Sequence, residues 1–168
     1  GGFHSCAVTA TGGVKCWGWS GDGQLGDGSS GDTTKSTSPV DVHTSSTSNT
    51  PLSGVKAIAL GYEHSCALTT AGGVKCWGDN NSGQLGNGSS GSLADRTTPV
   101  DVTGLSSGVA AIALGAVHSC ALTTTGGVKC WGFNNYGQLG DGTRSNRSTP
   151  DDVTGLTNVS AIALGDFH

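Results

Sequence analysis

Apolar residues in this chain fall in short segments, and within several of them the two sides of an extended backbone differ. In "HSCALTT" (118–124) Cys120 and Leu122 share one side while Ser119 and Ala121 share the other. In "GVKCWG" (127–132) Val128 and Cys130 alternate with Lys129 and Trp131. A period of two is a strand signal. With "VAAIALG" (109–115) before them and a "PVDV"-type segment after, each unit reads as four short strands separated by Gly, Asn, Asp and Ser clusters. No window supports a helix of useful length, because Gly or Asn-Gly punctuation recurs every few residues.

The pattern occurs three times. "HSCAVTATGGVKCWGWSGDGQLGDG" starts at His4, "HSCALTTAGGVKCWGDNNSGQLGNG" at His64 and "HSCALTTTGGVKCWGFNNYGQLGDG" at His118, and His168 stands at a fourth start. The spacings of 60, 54 and 50 residues are in the range of solenoids, propellers and arrays. Three repeats over approximately 4–63, 64–117 and 118–167 are expected, with the chain beginning and ending in mid-repeat. Length varies only between the Gly that closes Gly-Gln-Leu-Gly and the next Pro (10, 10 and 7 residues), and between "DV" and the next "IAL" (15, 9 and 8). A packed framework keeps its length while surface loops absorb insertions at low cost. Four-stranded units of about 50 residues have the size of β-propeller blades.

Every repeat carries Cys-x9-Cys: Cys6 and Cys16, Cys66 and Cys76, Cys120 and Cys130. A hairpin turn centred near Thr125 sets Cys120 opposite Cys130 and Leu122 opposite Val128. Directly opposed residues have Cβ atoms about 4.5–5.5 Å apart, close to what a disulfide needs. The spacing therefore predicts one disulfide inside each hairpin. Two alternatives stay open. His118 lies on the same strand face as Cys120, so His, Cys and Cys could converge on zinc, although a fourth ligand and a Cys-x2-Cys knuckle are lacking; the thiols could also be free and buried. Cysteines paired repeat by repeat point to an oxidising compartment, hence to an extracellular protein, secreted or on a cell surface. The opposite face pairs Ser119 with Trp131 and Ala121 with Lys129, so Trp17, Trp77 and Trp131 read as packing residues set beside small ones.

Charge narrows the partners. Of 168 residues 30 are Gly and 12% are charged, with a net charge of −4. The eight Lys and Arg residues are scattered, which gives no counterion-release drive toward a phosphate backbone, so nucleic acid is not an expected partner. No apolar run of about 18 residues exists to span a membrane.

The pattern "ALGxxHSCALTxxGGVKCWGxNxxGQLGxG" resembles the regulator of chromosome condensation (RCC1-like) repeat over the whole chain, as a secreted, disulfide-containing, bacterial-type variant. The resemblance implies an all-β fold of β-propeller blades, here three four-stranded blade-equivalents, within a larger ring or assembly; members typically form seven-bladed propellers. The family's founding members act on chromatin and promote nucleotide exchange on a small GTPase, and others are β-lactamase inhibitory proteins or the plant ultraviolet-B photoreceptor. The paired cysteines argue against the nuclear role, and "GYEHS" and "GAVHS" stand where the photoreceptor has Gly-Trp-Arg-His-Thr runs. Fold alone does not settle function.

No enzyme is expected, and no cofactor. His4, His64, His118 and His168 recur at one framework position, whereas a catalytic residue is normally unique, so a structural hydrogen-bonding role is the reading. "DNNSGQLGNG" from Asp79 lacks the later Glu and most oxygens of a calcium loop and reads as a turn. Sequons occur at Asn80, Asn87, Asn146 and Asn158 and matter only where the source glycosylates. Meander geometry puts the variable pair after each "ALG" on the same face as the variable residues after "CWG". The aromatic residues Trp19, Tyr62, Phe133 and Tyr136 are the candidate binding face; the plainer alternative is that they are partly exposed turn residues. Two functions remain: a rigid protein- or ligand-binding propeller, or a structural subunit of an extracellular fibre or surface layer that self-assembles through further repeats.

Overall fold

The computed structural model describes residues 1–168 and contains strands and no helix. Thirteen strands run in chain order: β1 His4–Val8, β2 Val14–Trp19, β3 Lys35–Asp41, β4 His43–Ser45, β5 Ser48–Pro51, β6 Val55–Leu60, β7 His64–Thr69, β8 Val74–Gly78, β9 Arg96–Asp101, β10 Val109–Leu114, β11 His118–Thr123, β12 Val128–Gly132 and β13 Arg147–Asp152. β6-β7-β8-β9 and β10-β11-β12-β13 are four-stranded antiparallel meanders, the shape of propeller blades. The first sheet has three strands, β1-β2-β3, and begins directly with the His-Ser-Cys strand. Residues 159–164, which repeat the sequence of β6 and β10, form no strand; in those strands the ladder is made with the His-Ser-Cys strand that follows. The long first linker, expected as plain loop, folds into the exposed β4-β5 hairpin.

The register follows the alternation. Cys66 opposes Cys76, Leu68 opposes Val74 and Ser65 opposes Trp77, and the same pairs recur in the other two hairpins apart from Val8, which opposes Val14 where the others have Leu. Each hairpin is closed by a disulfide, Cys6–Cys16, Cys66–Cys76 and Cys120–Cys130, with Cα atoms 4.1 Å apart. The sulfurs bond one another, which leaves no thiolate for a metal. The ladder shifts register between each second Cys and the Trp-Gly glycine. That glycine, Gly78 in β8, has φ +101°, and a Cβ there would lie 2.5 Å from the Glu63 carbonyl. Only glycine fits such a bulge.

The core lies between blades. Val14, Cys16, Leu25 and Val42 of the first blade enclose Ala67 and Trp77 of the second. Cys66, Leu68, Val74 and Leu85 of the second enclose Ala121 and Trp131 of the third. The cysteine face of one blade thus receives the Ser-Ala-Trp face of the next. Gly-Gln-Leu-Gly makes the socket. The Gln24 carbonyl accepts from Trp77 Nε1 (2.9 Å) and Ser65 Oγ (3.1 Å), and the Gln84 carbonyl accepts from Trp131 Nε1 (2.8 Å) and Ser119 Oγ (3.0 Å). The closing glycine makes room, since a Cβ on Gly26 or Gly86 would stand 2.7 Å from the indole nitrogen. Trp77 and Trp131 are fully buried, while Trp17, on the outer side of the first blade, is half-buried.

The recurring histidines complete the same joints. His4 Nε2 lies 2.8 Å from Ser65 Oγ and His64 Nε2 lies 2.9 Å from Ser119 Oγ. Because each serine gives its proton to a Gln carbonyl, the histidine donates from Nε2, and Nδ1 is left without a partner. Burial foremost pushes His64 down to about 3 and His4 and His118 to about 4, so the rings are neutral.

Candidate functional site

One end of the blades gathers the residues in which the repeats differ. Two backbone patterns fix them there. The residue after each "ALG" donates to its counterpart in the next blade: Gly2 to the Tyr62 carbonyl (3.1 Å), Tyr62 to Ala116 (3.0 Å) and Ala116 to Asp166 (2.9 Å). The residue after each "CWG" donates to the second residue of that variable pair: Trp19 to Phe3 (2.9 Å), Asp79 to Glu63 (2.9 Å) and Phe133 to Val117 (3.0 Å). Blade by blade the face therefore presents a locked aromatic pair, a locked acidic pair and a locked apolar pair.

The long loops behind these positions are built around one buried side chain. Asn80 Nδ2 donates to the carbonyls of Ser89 (3.0 Å) and Ala94 (3.3 Å), and Oδ1 accepts from Leu85 N (3.0 Å). Asn134 does the same with Thr143, Ser145 and Leu139. These bonds hold the loop closed over Leu85 and Leu139. They also remove Asn80 from consideration as a sugar acceptor, because its amide is fully buried and engaged.

The four predicted aromatics divide into two groups. Trp19 and Tyr62 meet through Phe3, with ring centroids 5.8 Å and 5.1 Å from it. Phe133 contacts Tyr136 at 6.0 Å and Phe167 at 6.4 Å. All four contacts are edge-to-face, the arrangement aromatic quadrupoles prefer. Tyr136 is 74% exposed and Phe3, Tyr62 and Phe167 are about half exposed. Phe3 and Phe167 were not among the predicted residues, although both stand in the variable pair after "ALG", where the signal lay. Between the two groups lie Asp22, Glu63, Asp79 and Asp95. Burial, then mutual repulsion, raises the Asp22 and Glu63 carboxyls above their ordinary range; burial foremost also raises Asp95, with Asp79 beside it.

Trp19 and Phe133 occupy a position with a structural alternative inside the same chain. In the second blade that position is Asp79, whose Oδ2 accepts from Gln84 Nε2 (2.5 Å). With Trp19 and Phe133 there, Gln24 Nε2 and Gln138 Nε2 are buried without a partner. An orphaned buried amide costs on the order of 1–3 kcal/mol. Rules broken in this way cluster at functional sites.

The family model described as the regulator of chromosome condensation (RCC1) repeat matches residues 11–68, 71–122 and 125–168, and a second model of the repeat matches 55–84 and 109–138. The ultraviolet-B receptor UVR8 of Arabidopsis thaliana is 34% identical over 171 residues, covering 98% of this chain and 36% of the receptor. The E3 ubiquitin-protein ligase HERC2 of Mus musculus is 35% identical over 174 residues, covering all of this chain and 3% of the ligase. Among solved structures, Prp20p of Saccharomyces cerevisiae superposes with a TM-score of 0.74 at 20% identity, over 91% of this chain and 36% of that one. The chain thus spans about a third or less of these relatives.

Proposed function

The chain belongs to the regulator of chromosome condensation repeat family, and on that premise we propose that it is a rigid, non-catalytic protein-binding scaffold that works outside the cell, with the variable loop face as its binding surface. The observation that carries this reading is the contrast at one position: Trp19 and Phe133 stand where an Asp–Gln hydrogen bond is available and instead present half-buried rings in contact with the exposed Phe3, Tyr136 and Phe167. Aromatic anchors on a rigid frame are what protein interfaces concentrate their energy on. Prp20p has been studied for its binding to Gsp1p and histones, which supports binding as a use of this fold. Three disulfides in one small chain support an oxidising location.

A second reading, self-assembly into a fibre or surface layer through further repeats, is supported by the internal joint itself: the cysteine face of each blade receives the Ser-Ala-Trp face of the next in the same way at both joints. Head-to-tail contact between chains would repeat that joint.

A photo-crosslinking residue at Tyr136, and in a separate sample at Ser5, distinguishes the two. Heterologous proteins captured from the source culture at position 136, and lost in Trp19→Ala/Phe133→Ala, support the binding scaffold. Chain-to-chain adducts at position 5 with none at 136 support assembly and count against the scaffold.

A further inference from the structure

The acidic centre of the loop face restricts what chemistry a partner must bring. A cleft of about 240 Å³ beside it is lined by Tyr62, Ala116, Val117, Asp166 and Phe167, and so joins the two aromatic groups. Tyr62 and Phe167 are half-exposed rings, and Asp166 is an exposed carboxylate. The chain's ion pairs are Lys15–Asp41, Lys75–Asp101, Lys129–Asp152 and, at the third blade's loop, Arg147 with Asp141 and Asp151; none of them involves Asp22, Glu63, Asp79, Asp95 or Asp166. Those carboxylates therefore carry no lysine or arginine partner through an ion pair. The basic residues of these loops are Lys35, across the ladder from Trp19, Arg96, whose guanidinium is tied to the carbonyls of Ala94 and Asp95, Arg147, paired with Asp141 and Asp151, and the exposed Arg144 in the third blade's loop.

Aromatic faces attract cations by their quadrupole, and arginine does so while also pairing with a carboxylate through its planar fork. We propose that the Tyr62–Phe167 cleft receives an arginine side chain of a partner polypeptide, with Asp166 as its counter-ion and Glu63 holding a second basic residue of the same segment. This deepens the scaffold reading and rests on it. Burial first, and repulsion among Asp22, Glu63, Asp95 and Asp79 after it, raises the Asp22, Glu63 and Asp95 carboxyls, and an incoming cation relieves the repulsive part. The phenyl and indole groups on either side supply contact for apolar residues flanking the basic ones, so the fitting segment is mixed basic and apolar.

The test uses the whole chain and a fluorescein-labelled peptide, Gly-Leu-Arg-Leu-Arg-Leu-Gly, followed by anisotropy at about 50 mM salt. Its partner peptide replaces both arginines by citrulline, which keeps shape and removes charge. The arginine peptide is expected to bind at least about tenfold more tightly, with affinity falling as salt rises. Asp166→Asn and Glu63→Gln together should remove most of that preference. The double variant Asp101→Asn/Asp152→Asn changes net charge equally at a distance and should leave it intact. Equal binding of the two peptides, no binding of either, or equal losses in the near and distant charge variants overturns the inference. Calcium at 1 mM that binds the chain and displaces the peptide also overturns it, by assigning the carboxylates to a metal. The scaffold reading is judged separately: if both peptides bind equally and both lose binding in Trp19→Ala/Phe133→Ala, the inference fails while the scaffold reading stands, and if those substitutions leave binding unchanged the scaffold reading fails too.

Discussion

The joints between blades and the loop face are built from the same three repeats, yet they obey opposite rules. At the joints, position by position, Ser, Ala, Trp, Gln, Leu and Gly recur, and each makes the same contact in both places it is called on. On the loop face the equivalent positions hold Trp, Asp and Phe, and only the Asp satisfies its neighbouring glutamine. Where identity recurs, the residue is answering a packing constraint common to every blade. Where it differs on an equally fixed backbone, packing is not what chose it.

The largest effect that separates the two regions should come from the indoles. Trp77→Ala or Trp131→Ala empties a fully buried socket and removes a hydrogen bond, so a loss of about 3–5 kcal/mol is expected in urea unfolding. Trp19→Ala, at a partly exposed site, should cost less than about 1 kcal/mol. Equal costs would erase the distinction between joint and face.

Next in size is the disulfide term. Replacing Cys66 and Cys76 together by Ser opens a loop of about ten residues, for which chain entropy gives roughly 2–3 kcal/mol. The same unfolding experiment reads it, and peptide binding at the loop face of the folded variant should be unchanged.

Acid should attack the joints before the face. His4, His64 and His118 have folded-state values near 4, 3 and 4, below the ordinary value of about 6.5 expected of the unfolded chain. Between those limits the unfolded chain binds more protons, so the histidine contribution is fully present above about pH 6.5 and is lost as pH falls toward 3–4. The slope is at most about 1.4 kcal/mol per pH unit per histidine. The raised carboxyls Asp22, Glu63 and Asp95 act in the opposite sense: the folded chain binds more protons than the unfolded one in the window that runs from their raised values down to the ordinary carboxylate range, and stability rises as pH falls through it. Urea midpoints measured from pH 7.5 to 4 should therefore decline from the neutral side first.

The smallest effect has the opposite sign. Phe133→Asp gives Gln138 Nε2 the acceptor that Asp79 gives Gln84, and should raise stability by about 1 kcal/mol while weakening partner binding. A drop in stability would mean that the aromatic ring is there for the fold.

Strand order and hairpin register were legible because they are local: the period-two alternation and the Gly-Gly turns fix which residues oppose one another within about ten positions. The indoles were legible as packing residues for the same reason, being paired with small neighbours across the ladder. What they pack against was not, since Trp77 meets the Gln24 carbonyl 53 residues away and His4 meets Ser65 61 residues away. Spacing within a repeat carries no trace of a contact between repeats. Asn80 read as a turn residue and a sequon; its role as the buried centre of the loop depends on carbonyls 9 and 14 residues on, which no local motif marks. Phe3 and Phe167 were visible as variable residues, but their place in the aromatic groups depends on neighbours outside their own pair.

The account is tested most directly by measuring partner binding and urea midpoint on the same samples of the parent chain and of Trp19→Ala/Phe133→Ala. It predicts a binding loss of at least about tenfold with the midpoint nearly unchanged. Binding that survives the double substitution, or a midpoint that falls in step with binding, would contradict it.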